Sequence, residues 1–390
     1  MNDLCADIGY KSVNHEGEEL CGDHVDVVEQ DENSTVIVLA DGLGSGVKAN
    51  ILSTLTSKIL CTMIAGGVPL EECVATIAST LPVCSVRQVA YSTFIVLQIQ
   101  NNETAHIIQF DNPATIVLRR GEMFDYPRTT REIAGKTIWE SVFPIEEDDV
   151  FIAMSDGAEW AGVGMLMNFG WTRDSIADYA MANYMPENSA KYTAGLIIDE
   201  CNRLYGGRPG DDTTVAVARV RSRHSVNLLV GPPEHAEDDE MVMQKFFGKT
   251  GTKIVCGGTT SNVVSRYLHQ PVEASLDYCD PEIPPICRIE GVDLATEGVI
   301  TLSKVLAYAE DFLDQAHLAA DWSTKKDGAS RIARELFENA TDVHFFVGRA
   351  INPAHQNPNL PITFAIKQQL IVNLADCLKK MGKHIQLSYY

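Results

Sequence analysis

The sequence is short of positive charge. Its 390 residues carry 31 Lys and Arg against 53 Asp and Glu, a formal charge of −22, and a surface with that balance repels phosphate backbones and anionic lipid headgroups alike. That argues against nucleic acid and against membrane partners. No apolar run is long enough to span a bilayer, and the stretch from Met1 to Asp7 has no basic segment followed by a hydrophobic one, so the expected location is the cytoplasm. Cys-x-x-Cys pairs are missing too. The ten cysteines are dispersed, mostly inside apolar patterns such as those around Cys61 and Cys377, and they read as reduced core residues. Cys256, Cys279 and Cys287 share one region without the spacing of a zinc or iron-sulfur site.

What the chain does have is apolar content of 45%, enough at this length for two cores, and acidic clusters at the ends of β-like runs. Asp41 and Gly42 follow the run from Ser34 to Ala40. Ser155, Asp156 and Gly157 follow the run from Val150 to Met154, and Gly210, Asp211 and Asp212 precede the run from Thr213 to Ala218. Read one at a time, Asp-Gly is ordinary turn chemistry at a strand end. Read together, they suit an all-oxygen metal site. Several carboxylates a few ångströms apart take up protons unless a cation neutralises them, and hard oxygen ligands favour Mg²⁺ or Mn²⁺ over zinc. Two such ions about 3.5–4 Å apart suit an in-line phosphoryl displacement by water.

The order of these motifs carries a resemblance. Gly22 and Asp23, then Ala40 to Gly46 leading into a helix, then Ser155-Asp156-Gly157, then Asp211 to Val215 resemble the metal-dependent type 2C protein serine/threonine phosphatases, and more narrowly the bacterial stage II sporulation protein E branch. Tyr91 to Phe94, Phe110 to Ala114 and Ile116 to Gly121 are similar to that family's central hairpin. The likeness covers about residues 8–222. It implies two Mn²⁺ or Mg²⁺ ions, with Asp41 bridging them, the Gly42 carbonyl helping to bind one, Asp156 and Asp211 completing the other, and Asp23 serving the Gly42 side. Asp41, Asp156 and Asp211 are thus the implied catalytic set. The substrate implied is a phosphorylated protein, in that branch an anti-sigma-factor antagonist, a small domain bearing phosphoserine or phosphothreonine.

Two departures from the family stand out. Leu43 occupies the position where long eukaryotic-type members place a His, as in the sporulation branch, which leaves leaving-group protonation to water. No Arg precedes the first acidic motif; Lys11 is the only basic residue before Asp23 and reads as a surface lysine. His24 reads as structural or, alternatively, as a general acid. Asp212 stands where the family often has Asn, and is either a ligand neighbour or a solvated turn residue. Arg208 either holds substrate phosphate or is an ordinary loop arginine.

The first domain, residues 1–222, is expected to be an α/β sandwich of largely antiparallel strands with helices outside, helical from Val47 to Ile64, from Leu70 to Leu81, from a capped start near Thr172, and from Ser189 to Tyr205. After a polar link at 220–225, residues 226–390 alternate strands closed by glycine with helices, which indicates a three-layer α/β domain that senses a ligand or docks a partner. In it Gly257, Gly258, Thr259, Thr260 and Ser261 form either an anion-binding loop or a hydroxyl-capped turn. The stretches Glu335 to Ala340 and Arg349 to His355 also look suggestive. Two other functions stay open: a non-catalytic regulatory binding module on the same fold, and a hydrolase of a small phosphate ester.

Overall fold

The computed structural model describes residues 3–31, 33–80, 92–186, 188–274, 283–314, 322–350, 356–357, 360–361 and 364–390. Leu81, Tyr91, Cys279 and residues 351–355, all invoked above, lie outside them. The chain divides into two compact units, Met1–Ser222 and Arg223–Tyr390.

Alternating burial along the strands builds the first unit. One antiparallel sheet runs β1 (Leu4–Val13), β11 (Thr213–Ser222), β10 (Asp149–Met154), β6 (Ile116–Arg119), β7 (Glu122–Met123). The other runs β2 (Asp23–Asp31), β3 (Ser34–Gly42), β4 (Ser92–Gln100), β5 (Thr104–Phe110), β9 (Lys136–Pro144), β8 (Thr129–Ile133). Because side chains alternate along a strand, one set faces inward: Ile37, Leu39, Ile95 and Leu97 meet Val117, Phe151, Ala216 and Ala218 between the sheets. The other set faces outward and is covered by helices. Val36, Val38, Phe94 and Val96 pack under α1 (Gly46–Ala65) and α2 (Leu70–Thr80). Val150, Ile152, Val215 and Val217 pack under α4 (Arg173–Ala182) and α5 (Ala190–Leu204), with the single turn α3 (Asp156–Glu159) between β10 and α4. The starts of α4 and α5 are set by their caps: Thr172 accepts from Ser175 N and Ser189 from Tyr192 N.

The second unit is a mostly parallel sheet. Its strands are β12 (Ser225–Val230), β13 (Thr252–Cys256), β14 (Glu273–Ala274), β15 (Cys287–Arg288), β16 (Leu294–Thr296), β17 (Asp342–Val347) and β20 (His384–Tyr389), in the order β14-β15-β16-β13-β12-β17-β20. A separate two-stranded pair, β18 (Gln356–Asn357) and β19 (Leu360–Pro361), precedes α10 (Phe364–Lys380). The chain starts at the middle of the sheet, winds outward through β13 and β16, and returns to add β17 and β20 on the other side, the open doubly wound arrangement. Leu228, Val230 and Ile254 face a core shared with α8 (Val299–Asp314), α9 (Gly328–Arg334) and α10. Leu229, Val255 and Phe346 face α6 (Asp239–Phe247) and α7 (Gly258–Leu268). Both faces are covered, which explains the nearly continuous apolar runs. No helix among the described residues is long and apolar enough to cross a membrane, and the described cysteines are mostly buried.

Candidate metal centre

Four chain segments end at one edge of the sandwich. Asp23 opens β2 and Asp41 lies directly across from it near the end of β3. Asp156 follows β10, and Asp211 and Asp212 lead into its neighbour β11. The two sheets are tied together there by Ser155, whose hydroxyl donates to Asp23 Oδ2 at 2.7 Å and accepts from Thr214 N at 2.9 Å. Asp212 is buried and accepts from His15 N at 2.9 Å, while Asp211 accepts from Asp212 N at 2.9 Å.

Two glycines allow this crowding. A Cβ on Gly42 would lie 2.2 Å from the Ala49 carbonyl oxygen of α1, and one on Gly157 would lie 2.2 Å from the Asp212 carbonyl oxygen, so neither position admits a side chain without moving backbone. Tyr205 fixes the second turn by donating its hydroxyl to Gly157 O at 2.7 Å.

The electrostatics follow from the crowding. Burial, with Asp23, Asp156, Asp211 and Asp212 nearby, pushes Asp41 up to about 9. Burial raises Asp23 in spite of the Ser155 and Thr214 hydroxyls, and burial with Asp156 takes Asp211 to about 6. Asp156 is raised by burial as well, offset in part by the Asp41 carboxyl, the Gly157 backbone and the Trp160 side chain beside it. Asp23 Oδ1 and Asp212 Oδ2 are buried without any hydrogen-bond partner. Orphaned carboxylate oxygens in an anionic cluster fit a hard divalent cation. Among the described residues no three acidic, His or Cys side chains stand ready-converged on a single ion.

The other candidate residues are placed elsewhere. Arg208 is exposed and reaches Glu16 at 3.7 Å, Lys11 pairs with Asp199 at 3.0 Å, and His24 is turned to the Ser57 hydroxyl at 2.8 Å. Gly257 to Ser261 belong to the second unit and are less a loop than a helix start: α7 begins at Gly258, Thr260 donates back to Cys256 O at 3.2 Å, Ser261 is buried, and Thr259 is exposed. Glu297 stands close enough to add to the burial that pushes the Cys256 thiol up to about 12. Glu335, within a π turn, accepts from Thr252 at 2.9 Å and meets His224 Nε2 at 2.7 Å. Sequence reasoning gave no role to Ser155 or Trp160. The available signal was their position, beside and four residues after a strand-end carboxylate.

Residues 31–221 match the family model described as Stage II sporulation protein E (SpoIIE). No curated protein sequence matches the chain. Among solved structures, the phosphatase domain of the cell fate determinant SpoIIE from Bacillus subtilis is similar at 20% identity, over 57% of this chain and 95% of that one, with a TM-score of 0.44. A structure of the PP2C phosphatase domain with a fragment of the regulatory domain of the same Bacillus subtilis protein is 19% identical over 56% of this chain and 64% of that one, with a TM-score of 0.48. The catalytic domain of the serine threonine protein phosphatase PstP, in complex with 2 manganese ions, is 14% identical over 56% of this chain and 99% of that one, with a TM-score of 0.39.

Proposed function

We propose that this chain, which carries a Stage II sporulation protein E family domain across residues 31–221, is a Mn²⁺- or Mg²⁺-dependent phosphatase of phosphoserine and phosphothreonine on a signalling protein. The observation that carries the reading is the gathering of Asp23, Asp41, Asp156, Asp211 and Asp212 from four segments onto one edge, with two buried carboxylate oxygens unpartnered. Asp23, Asp41, Asp156 and Asp211, with the Gly42 carbonyl, would hold the ions. When bound, divalent ions there supply Lewis acidity and an activated water for phosphoester hydrolysis.

The chain's own residues do the positioning. Ser155 clamps Asp23 to the neighbouring sheet, Tyr205 holds the Gly157 turn, and the Asp212 carboxylate fixes the backbone at His15. Because burial and neighbouring carboxylates raise Asp41, Asp23, Asp156 and Asp211, cation binding there would compete with protons. Leu43 is apolar and offers no proton to a leaving group, and His24 turns its Nδ1 to the Ser57 hydroxyl. An anti-sigma-factor antagonist-like domain is the substrate that the family resemblance favours. The second unit, residues 226–390 in this reading, acts as a ligand-sensing or partner-docking module.

The test is turnover of a phosphothreonine peptide by the full chain with Mn²⁺ and with chelator. Hydrolysis that needs the cation supports the reading. Absence of turnover with saturating Mn²⁺ and with Mg²⁺ would sink it in favour of a binding module.

A further inference from the structure

We propose that the uncharged apolar loop from Trp160 to Gly170 is the surface on which a phosphoprotein substrate seats the domain that carries its phosphorylated residue; this rests on the phosphatase reading above. In a chain of charge −22, the segment from Trp160 to Gly170 has no charged side chain. Trp160, Val163, Met165, Leu166 and Phe169 all face solvent, Phe169 being 86% and Leu166 64% exposed. Apolar patches of this kind on a folded surface mark contact sites.

The loop is built, and built outward. Ala161 and Trp171 are buried at its ends, and Met167 packs on the core under α4 and α5. Gly162 O accepts from both Met165 N at 3.0 Å and Met167 N at 2.9 Å. A Cβ on Gly170 would lie 2.2 Å from the Glu159 carbonyl oxygen, so the loop closes tightly back on α3. With its anchors inside, the remaining large side chains have no core to enter.

Its occupant follows from what flanks it. At one end Trp160 closes α3, the single turn that Asp156 opens, its backbone N–H donating to Asp156 O at 3.0 Å. Midway along it, the Met165 methyl lies so close to Gly206 that a Cβ there would be 3.0 Å away, and Gly206 begins the return to Asp211. A macromolecule that brings a phosphorylated side chain to the carboxylates therefore covers this loop, whereas a small ester does not reach it. Charge points the same way. A phosphoprotein is anionic and is repelled by the chain's overall field, and an uncharged rim beside the site is where contact opposes the fewest carboxylates.

The test compares two substrates, phosphorylated β-casein and p-nitrophenyl phosphate, on full-length protein with Mn²⁺. Leu166→Ser combined with Phe169→Ser is expected to lower kcat/KM on casein by about tenfold or more, through KM, as loss of central apolar anchors does. Turnover of p-nitrophenyl phosphate should stay within about twofold, since these side chains lie outside the carboxylate cluster. The conservative pair Leu166→Met and Phe169→Leu should restore casein turnover. Unchanged casein kinetics, or an equal loss on both substrates, overturns the proposal. So does light scattering that shows the serine variant converting a dimer to a monomer at unchanged casein turnover, which assigns the loop to a second copy of the chain. If wild-type protein hydrolyses neither substrate, the phosphatase reading itself fails and takes the docking surface with it.

Discussion

Asp23 and Asp41 are paired directly across the β2–β3 ladder, two carboxylates at a register position where like charges repel. Protonation or a bound cation relieves such a pair, and the Ser155 hydroxyl already serves Asp23.

Replacing one partner should therefore separate stability from activity. Asp41→Asn keeps the volume and removes the charge, so Mn²⁺-stimulated hydrolysis should fall by at least about a hundredfold, on the scale of losing a preorganised electrostatic group. The chelated variant should melt higher than chelated wild type, since repulsion is relieved, by about 2–4 °C per kcal/mol recovered. Near-normal turnover at saturating Mn²⁺ refutes the assignment.

The pH dependence of metal stabilisation has a definite sign. Asp211 is raised from an ordinary 3.8 to about 6, and Asp41 further. Groups raised in the folded state contribute stability below their unfolded pKa and lose it as pH rises through the folded value. The chelated N-terminal unit should thus weaken from pH 5 to pH 9, and Mn²⁺, which displaces those protons, should raise its melting temperature more at pH 8 than at pH 5.5. Equal gains at both values would contradict it.

Away from the site, Arg119 holds the fully buried Asp149 through two contacts of 2.8 Å. Arg119→Met should cost the N-terminal unit about 3–5 kcal/mol, because it strands a buried charge. Adding Asp149→Leu should recover much of the loss. Urea unfolding of the single and double variants measures both.

In the second unit the His224 contact outweighs burial and, with Asn339 and Thr252, takes Glu335 from 4.5 down to about 2. A depressed carboxyl contributes stability above its unfolded pKa and loses it as pH falls through the folded one. The unit's urea midpoint should drop between about pH 4.5 and pH 2, and Glu335→Gln should flatten that descent. An unchanged acid limb in the variant would show the pair to be inert.

How much of this was legible in the sequence depended on how local the cause was. The antiparallel sandwich and the three-layer second unit could be read from alternation and helical spacing, and the starts of α4 and α5 from Thr172 and Ser189, because capping is settled within four residues. Gly257 to Ser261 look like a loop by composition, yet burial of Val263 and Val264 against the sheet draws the helix back to Gly258. The carboxylates could be listed from their motifs. What joins them could not: Ser155 reaches Asp23 across 132 positions, and nothing near Ser155 announces that partner. The outward loop at Phe169 was equally hidden, since an apolar segment in sequence gives no sign that its anchors, Ala161 and Trp171, leave the rest outside.

The pairing of β1 with β11, from Leu4 opposite Ser222 to Val13 opposite Thr213, sets a timetable for synthesis. Within this unit β1 waits for β11, and at about 5–20 residues per second the wait is roughly 10–40 s. Throughout it, the face of β1 that α5 will cover and the backbone edge that β11 will occupy are open to other chains. Asp211 and Asp212 emerge at the end of the same interval, so the carboxylate cluster closes in one step with the sheet. Translation halted before them leaves a product with an unpaired edge strand and no complete cluster, a target for chaperones and proteases rather than a weaker version of the protein.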